Sequence, residues 1–277
     1  MGAQMDPEHL ETNRRAWDEM TAVHVKSAFY NVEGFLAGES SLCPFEPEEL
    51  GDVSGCSLLH LQCHFGLDSL SWARRGAKVT GLDFSAPAIA EAKRLAERSG
   101  IEADFVQADV YDAAVVLDER FDIIYTGLGA LNWLGDLSAW AATIASLLKP
   151  GGRFYLVEFH PLLWVLSDDE LTLDGRWSYF RDPAGISFDD HEDYADPDVV
   201  LEHSATHEWA HDLGEVLSVL LDAGLEIKMF HEHDQIAFRR FSQLEEVEGD
   251  TRRFRIPQGL PQLPLQYSLL AVAPATG

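Results

Sequence analysis

The chain has 277 residues, of which 46% are hydrophobic and 24% are charged, the balance of a globular protein with a substantial core. Its 20 Lys and Arg against 47 Asp and Glu give a formal net charge of −27, which repels a phosphate backbone and argues against nucleic acid as a partner. No apolar run approaches the roughly 20 residues that cross a bilayer, and the polar, acidic N-terminus does not resemble a signal peptide, so we expect a cytoplasmic protein without membrane contact.

The N-terminal part of the chain predicts a helical cap outside the main domain. Leu10 and Trp17 belong to a set of apolar residues that recur at a helical period among charged neighbours, which predicts a helix over 8–24. The residues that follow mix aromatic with small and acidic side chains and show no regular period. We therefore expect 1–50 to form the cap and 51–277 to form the main domain.

Short apolar runs alternate with helical patterns from residue 57 onward. Helices are predicted over 86–99, where Pro87 lies in the first turn and Gly100 follows the end, and over 136–148. This alternation is typical of βαβ units and predicts an α/β fold with a doubly wound, mostly parallel sheet. The first five strands are predicted at 57–62, 77–82, 103–107, 121–125 and 153–159.

The alternation breaks after the fifth strand. Residues 160–206 hold several Pro and Gly and a run of aromatic side chains, which predicts an insertion of short strands and loops. A start signal resembling a capping box at Asp212 predicts the next helix. Strands over 225–231 and 265–273 then complete a seven-stranded sheet, and 235–262 is predicted to be a long connection between them.

Two sequence motifs, one in strand four and one before strand five, follow each other along the chain as they do in one enzyme family. FDII at 121–124 fits strand four, and LLKPGG at 147–152 ends a helix before strand five, because Pro cannot continue a helix and Gly supplies a positive φ. This pairing resembles the class I methyltransferases that depend on S-adenosylmethionine (SAM), closely over 57–160 and more loosely over 212–273. The resemblance implies a Rossmann-like core, SAM as cofactor, and methyl transfer to an oxygen or nitrogen atom of a small-molecule acceptor.

The turn after strand one departs from the family pattern. Members of the family usually carry an acidic residue followed by Gly-x-Gly-x-Gly, because glycines let the backbone approach the cofactor closely. Here His60 replaces the acid, Gln62 and His64 replace two glycines, and only Gly66 remains. The resemblance still implies cofactor contacts for Gln62, Cys63 and Gly66, with the Gln62 amide on the amino-acid end of SAM.

Two aspartates follow strands two and three. Asp83 is at the tip of strand two, where a carboxylate can accept hydrogen bonds from both ribose hydroxyls, with Phe84 beside the adenine. The alternative is an aspartate that caps the next helix. The resemblance assigns Asp109 to the adenine amino group and the Val110 backbone to the ring, against the alternative of an ordinary loop aspartate. We expect Asp83 and Asp109 to lie side by side at one rim of the sheet.

Ligands of open parallel sheets bind beyond the carboxyl ends of the strands, so the segments after strands four and five should reach the site. The first begins at Thr126, which we expect to contact the cofactor. The second contains His160, our candidate for a catalytic base or substrate-orienting group, because an imidazole transfers protons near neutral pH. A histidine held only by backbone groups is an equal alternative. The cap and the insertion should line a closed pocket for a largely apolar or aromatic acceptor.

The residues at 207–211 match the HExxH motif of zinc proteases. However, Asp212 begins a helix only after the motif, which leaves 202–208 extended, and two histidines four residues apart on a strand are separated by roughly 13 Å, too far to share one zinc ion. The three cysteines, at 43, 56 and 63, have no CxxC spacing. The sequence therefore predicts neither a metal site nor a disulfide framework.

Two other functions remain open at this point. A nicotinamide-dependent oxidoreductase shares the early βαβ pattern, but it normally needs G-x-G-x-x-G in the first turn, which this chain fits poorly. A SAM-binding or partner-binding domain that has lost catalysis would account for the missing glycines. The sequence also leaves open the identity of the acceptor and whether the protein forms a homodimer.

Overall fold

The computed structural model describes residues 7–167, 171–173, 177–248 and 250–275. Residues 1–6 of the predicted cap, and 168–170 and 174–176 of the predicted insertion, lie outside the described residues. Within the described ranges, no helix combines the length and the apolar character that a membrane span requires.

Helices and strands alternate through the first part of the chain, as the sequence pattern predicts. The N-terminal segment forms α1 (Pro7–His24), α2 (Val32–Leu36) and α3 (Glu46–Leu50). The main domain continues with β1 (Ser57–Leu61), α4 (Leu67–Arg74), β2 (Lys78–Asp83), α5 (Ala86–Ser99), β3 (Asp104–Gln107), α6 (Ala113–Val116), β4 (Phe121–Thr126), α7 (Leu137–Leu147) and β5 (Leu148–Phe159). Short 3-10 helices cover Val110–Asp112, Leu131–Trp133 and Pro161–Val165.

Local side chains set the ends of the long helices. At the start of α5 the Ser85 hydroxyl accepts the N–H of Ala88, and Gly100 ends the helix with a φ of 66°. At the start of α7 the Asp136 carboxylate accepts the N–H of Ala139. Because such signals lie within a few residues of the helix itself, the predicted bounds of both helices agree with the structure to within one residue.

The segment after β5 confirms an insertion of short strands. It contains β6 (Ile186–Asp189), β7 (Glu192–Asp193), β8 (Asp196–Val200) and β9 (Ala205–Glu208). Strand β6 pairs with β9 and β7 pairs with β8, both antiparallel. The alternation then resumes with α8 (Leu213–Asp222), where the Asp212 carboxylate accepts the N–H of Glu215 as the capping signal predicts.

The C-terminal part holds the one clear error of the predicted topology. Its strands are β10 (Glu226–His233), β11 (Gln235–Ile236), β12 (Glu245–Val247), β13 (Asp250–Arg255) and β14 (Gln266–Val272). The stretch 235–262 is not merely a connection, because β11, β13 and β12 form a separate three-stranded sheet. In that sheet Phe254 pairs with both Ile236 and Glu246. The pairing of β11 with β13 joins Ile236 to Phe254 across the intervening β12, so no local pattern indicates it, whereas β12 and β13 are consecutive strands.

Seven strands form the central sheet in the order β10-β14-β5-β4-β1-β2-β3. The strands β1 to β5 run parallel to one another, and β14 is antiparallel to both β5 and β10. This confirms the predicted doubly wound, mostly parallel seven-stranded sheet. The strand order reverses between β1 and β4, and in such sheets the crevice for a ligand opens at the carboxyl ends of the strands at this point.

Large aromatic side chains bury both faces of the sheet. On the face covered by α7 and α8, Trp140 is fully buried and its ring lies edge-on to Phe154 with centroids 5.4 Å apart. On the other face Trp72 contacts Tyr125 with centroids 5.6 Å apart. Each buried aromatic side chain contributes on the order of 1.5–3 kcal/mol of transfer free energy. The strand ends that carry the site are therefore held by a densely packed frame.

Candidate functional site

A cavity of about 1360 Å³ opens at the carboxyl ends of β1, β2, β4 and β5. The N-terminal helices and the insertion supply much of its wall, as the sequence predicts. The contributing aromatic side chains include Trp17, Phe29 and Tyr30 from the N-terminal segment, and Trp164, Trp177, Phe188 and Tyr194 from the segment after β5.

The turn after β1 keeps the shape of a glycine turn although two glycines are missing. Gln62 has a φ of 58° and His64 a φ of 49°, the left-handed region that non-glycine residues rarely adopt. Gly66 has a φ of 83°, and a Cβ there would lie 2.9 Å from the ring of Phe105 and 3.0 Å from Ala92. The chain thus holds two larger residues in a strained conformation and retains glycine where no side chain fits.

Gln62, Cys63 and Gly66 of this turn line the cavity, and their contacts with a cofactor stay a prediction. The Gln62 amide donates to the carbonyl of Ala130 at 2.9 Å, while its Oε1 is buried with no hydrogen-bond partner within the described part of the chain. Cys63 also lines the cavity, and burial raises the pKa of its thiol well above the usual value. The thiol therefore stays protonated and acts by packing rather than as a nucleophile.

Asp83 ends β2 with its carboxylate largely buried. Its Oδ2 accepts the N–H of His64 at 2.8 Å and its Oδ1 accepts the N–H of Ser85 at 2.9 Å. Burial raises the pKa of Asp83 to about 6, and the two backbone N–H groups oppose that shift. The helix-capping alternative is not needed, because Ser85 itself caps α5. Each carboxylate oxygen keeps a further lone pair, and Phe84 lies beside it in the cavity wall.

Asp109 reaches the same rim as Asp83, as predicted. Strands β2 and β3 pair with Asp83 opposite Gln107, so Asp109 follows two residues beyond that pair. One oxygen of Asp109 accepts the N–H of Tyr111 at 2.8 Å, and burial raises the pKa of the carboxyl. Both aspartates and the buried Val110 line the cavity. Both carboxylates therefore lie at the same rim of the cavity, and their contacts with a cofactor stay a prediction.

The expectation for Thr126 is corrected by its burial. The Thr126 side chain is 0% exposed and its hydroxyl has no hydrogen-bond partner among the described residues, so it lies beneath the cavity rather than on its wall. The wall begins one residue later, at Gly127. The displacement follows from strand alternation, which turns successive side chains to opposite faces.

Glu158, which the sequence reasoning passed over, holds the loop after β4 in place. Its Oε1 accepts the N–H of Gly129 at 2.8 Å, and its Oε2 accepts those of Ala130 and Leu131, each at 2.9 Å. Burial raises the pKa of Glu158, although these bonds oppose the shift. The only sequence signal was an acid beside His160 at the end of strand five.

His160 lines the cavity but has both ring nitrogens engaged. Its Nδ1 accepts the N–H of Leu162 at 3.1 Å, which leaves Nε2 to donate to Glu232 at 3.0 Å. Burial lowers the pKa of His160, and Glu232 opposes this shift. These contacts favour the alternative in which the histidine caps the following 3-10 helix. A proton-accepting role for His160 stays a prediction.

Glu208 is a second candidate for a proton acceptor in the wall. It ends β9, its Oε2 accepts the Asn132 amide at 2.6 Å, and burial raises its pKa to about 7. It is also the glutamate of the HExxH match, whose histidines are turned to other partners. His207 contacts the Ser187 hydroxyl, and His211 contacts Glu215. Within the described ranges no group of three or more His, Cys, Asp or Glu side chains is arranged to hold a metal ion.

A chain of three polar side chains joins the N-terminal helix, the turn after β1 and the insertion. His24 Nδ1 lies 2.9 Å from His64 Nε2, and His24 Nε2 lies 3.1 Å from the Asp193 carboxylate. His24 and Asp193 are buried. Sequence reasoning missed this contact because its members lie far apart in the chain. These contacts connect α1 and the insertion, which both form part of the cavity wall, to the turn after β1.

Comparisons with known proteins agree with this geometry. A family model described as a methyltransferase domain matches residues 58–152. The ubiquinone biosynthesis O-methyltransferase of Klebsiella pneumoniae (strain 342) is 32% identical over 135 residues, which cover 47% of this chain and 55% of that protein. The chain thus spans about half the length of this curated relative.

Solved structures show the same fold. A SAM-dependent methyltransferase from Mesorhizobium loti superposes with a TM-score of 0.55 at 20% identity, over 86% of this chain and 99% of that one. The DhpI–SAH complex superposes with a TM-score of 0.58 at 15% identity, over 99% of this chain and 100% of that one. The matched domain and the sheet order agree: residues 58–152 match a methyltransferase domain, and the chain has the Rossmann-like fold of the class I SAM-dependent methyltransferases.

Proposed function

We propose that this protein transfers a methyl group from SAM to an oxygen or nitrogen atom of a small-molecule acceptor. The observation that carries the proposal is the cavity at the carboxyl ends of the parallel strands, with Asp83 and Asp109 on one rim and a turn of left-handed backbone at its floor. The Klebsiella relative named as an O-methyltransferase supports the reaction class.

The residues present fit the cofactor. The lone pairs of Asp83 left free by its two backbone contacts would accept the ribose hydroxyls, and the free oxygen of Asp109 would accept the adenine amino group. The Val110 backbone and the Phe84 ring would flank the base. When bound, SAM supplies an electrophilic methyl group on a sulfonium sulfur. The Gln62 Oε1, which lacks a donor, is suited to the amino-acid end.

The volume leaves room for an acceptor beside the cofactor. Pockets for one small ligand usually measure about 300–1,000 Å³, whereas this cavity measures about 1360 Å³. Trp164, Trp177 and Phe188 would give an apolar or aromatic acceptor a matching wall and exclude water from it. We propose the division into a cap, 1–50, and a catalytic domain, 51–277, on the same grounds.

Glu208 would hold the proton that the acceptor releases. Its Oε2 is oriented by Asn132, whose loop follows β4, and its Oε1 lies 3.5 Å from the Thr206 hydroxyl. A carboxyl with a pKa of about 7 exchanges protons efficiently near neutral pH. The acidity of the whole chain makes nucleic acid an unsuitable acceptor.

Calorimetric titration with S-adenosylhomocysteine (SAH), the demethylated product of SAM, tests the proposal. We expect saturable binding in the micromolar range, and the absence of binding at about 1 mM would contradict it. Transfer of radiolabelled methyl from SAM to a panel of phenols, carboxylic acids and amines would then separate an enzyme from a binding domain that lacks catalysis. A parallel titration with NADH tests the oxidoreductase alternative, for which binding of NADH but not SAH is the distinguishing result.

A further inference from the structure

The Asp68 carboxylate lies in the cavity wall where three elements of the fold meet. Asp68 is in the first turn of α4, His60 is on β1, and Gly127 follows β4, and all three line the cavity. A Cβ built on Gly127 would lie 3.3 Å from Asp68 Oδ2 and 3.4 Å from His60 Nε2. The carboxylate and the imidazole therefore converge on one spot beside Gly127.

His60 adds no positive charge to this spot. It is 3% exposed, its Nδ1 lies 2.8 Å from the Ser69 hydroxyl, and burial lowers its pKa to about 3. The ring is therefore neutral throughout the physiological range. A neutral imidazole in the place where the family carries an acid can accept a hydrogen bond but carries no negative charge, so the charge that a cationic ligand group needs has to come from another side chain.

Asp68 lies near a second carboxyl, that of Glu46, and the Tyr125 hydroxyl lies between them. The Tyr125 hydroxyl donates to Glu46 at 2.7 Å and lies 3.5 Å from Asp68 Oδ2. Burial, and after it the charge of the nearby Asp68, raise the pKa of Glu46 to about 8. Burial raises the pKa of Asp68 as well, while the hydroxyls of Ser41 and Tyr125 oppose that shift. Glu46, with a pKa of about 8, is protonated at neutral pH, so of the two carboxyls Asp68, which lies beside His60 and Gly127, is the one suited to face a cation.

The order of the strands tells which part of the cofactor would meet this charge. Asp83 and Asp109, which would hold the adenosine part, follow β2 and β3, at one end of the strand order. His60 is on β1, and Asp68 of α4 lies near Gly127, which follows β4, so both side chains lie on the other side of β2 from β3. A cofactor with its adenosine over β2 and β3 has its amino-acid end over β1 and β4.

We propose that Asp68, with His60 beside it, binds the α-ammonium group at the amino-acid end of the cofactor and so replaces the acid that is missing from strand β1. The proposal rests on the proposed function, because it concerns the same cofactor. It gives Asp68 and Gly127 a role that neither the motif order nor the family resemblance assigns to them.

The test compares SAH with its deaminated analogue, in which hydrogen replaces the α-amino group, by calorimetry on the wild type and on Asp68→Asn. The asparagine variant keeps the shape of the side chain and removes its charge. We expect it to bind SAH about 10- to 100-fold more weakly and to bind the analogue within about threefold of the wild type. Asp118→Asn, at an exposed loop position, should change neither affinity.

Asp83→Asn provides the contrasting variant, because it should weaken SAH and the analogue by the same factor. Gly127→Ala provides a second test should Asp68→Asn fail to fold. Its methyl group would occupy the spot between Asp68 and His60, and we expect it to weaken SAH about tenfold while sparing the analogue.

Equal losses for SAH and the analogue in Asp68→Asn, or no loss for either, would overturn the proposal for Asp68. So would a Gly127→Ala variant that still prefers SAH over the analogue as the wild type does. A wild type that binds neither compound at about 1 mM is a different outcome, because it refutes the proposed function itself.

Discussion

Lowering the pH from about 7.5 to about 5 is expected to weaken SAH binding roughly tenfold through one group, Asp83. Its carboxylate must be ionised to accept both ribose hydroxyls, and burial raises its pKa to about 6 in the unliganded protein. At one unit below that pKa about a tenth of the molecules carry the ionised form, so the apparent Kd rises about tenfold, and above about pH 7 it levels off.

Unfolding does not explain this loss of affinity. The pKa of Asp83 lies above its ordinary value of 3.8, so between about pH 6 and pH 4 the folded protein binds a proton that the unfolded chain does not. Protonation of Asp83 therefore stabilises the folded state as the pH falls through that window, while it weakens cofactor binding. The two effects have opposite signs and can be separated.

Calorimetric titrations of SAH at half-unit steps of pH provide the assay, with urea unfolding at each pH as the control for folding. Asp83→Asn should bind more weakly at pH 7.5 and should lack the step centred near pH 6. A wild-type affinity that is constant from pH 7.5 to pH 5, or a step of the same size in Asp83→Asn, would refute the role given to this carboxylate.

Three further predictions concern the frame of the site. Glu158→Gln should lower the free energy of unfolding in urea by about 2–4 kcal/mol, because an amide nitrogen cannot accept hydrogen bonds from the buried N–H groups of the loop after β4. A loss below about 1 kcal/mol would contradict that role. Trp140→Ala should lower the free energy of unfolding by about 3–5 kcal/mol, because it leaves a cavity at a fully buried position. A loss under about 2 kcal/mol would contradict this, since it would mean that neighbouring side chains fill the cavity. Gly66→Ala should lower the free energy of unfolding by about 2–4 kcal/mol, and Gly100→Ala by only about 1 kcal/mol, in the same assay. Both glycines have a positive φ, but only a Cβ at position 66 would meet neighbouring atoms. Equal losses in the two variants would refute this distinction.

The parts of the fold that local chemistry decides could be predicted from the sequence. Ser85 and Gly100 fix the ends of α5, and Asp212 fixes the start of α8, because each acts on the backbone within a few residues of itself. The order of strands and helices follows from hydrophobic patterns of the same short range. The sheet formed by β11, β12 and β13 was missed because β11 pairs with β13 across the intervening β12, a contact that no local pattern indicates.

The candidate site could be predicted in part for the same reason. Asp83 and Asp109 reach one rim because parallel strands end at the same edge of a sheet, a rule that the strand pattern already contains. The roles of His24 and Asp193 depend on contacts between the first helix and the insertion, and no local signal carries them. The cofactor contact was predicted at Thr126, but the cavity wall begins one residue later, at Gly127. Strand alternation decides whether a side chain faces the cavity.

The turn after β1 shows a different limit of sequence reasoning. The loss of its glycines suggested a degraded cofactor site, because a positive φ is unfavourable for other residues. Gln62 and His64 adopt that conformation nevertheless, and their backbone and side chains contact Ala130, Asp83 and His24. Tertiary contacts therefore offset the local strain, and the turn keeps its shape.

A crystal structure of the complex with SAH tests the central claim most directly. The account predicts that both ribose hydroxyls lie about 2.6–3.2 Å from the carboxylate of Asp83, with the adenine amino group at the same range from Asp109. An adenosine bound elsewhere in the cavity, with neither carboxylate in contact with it, would contradict the account.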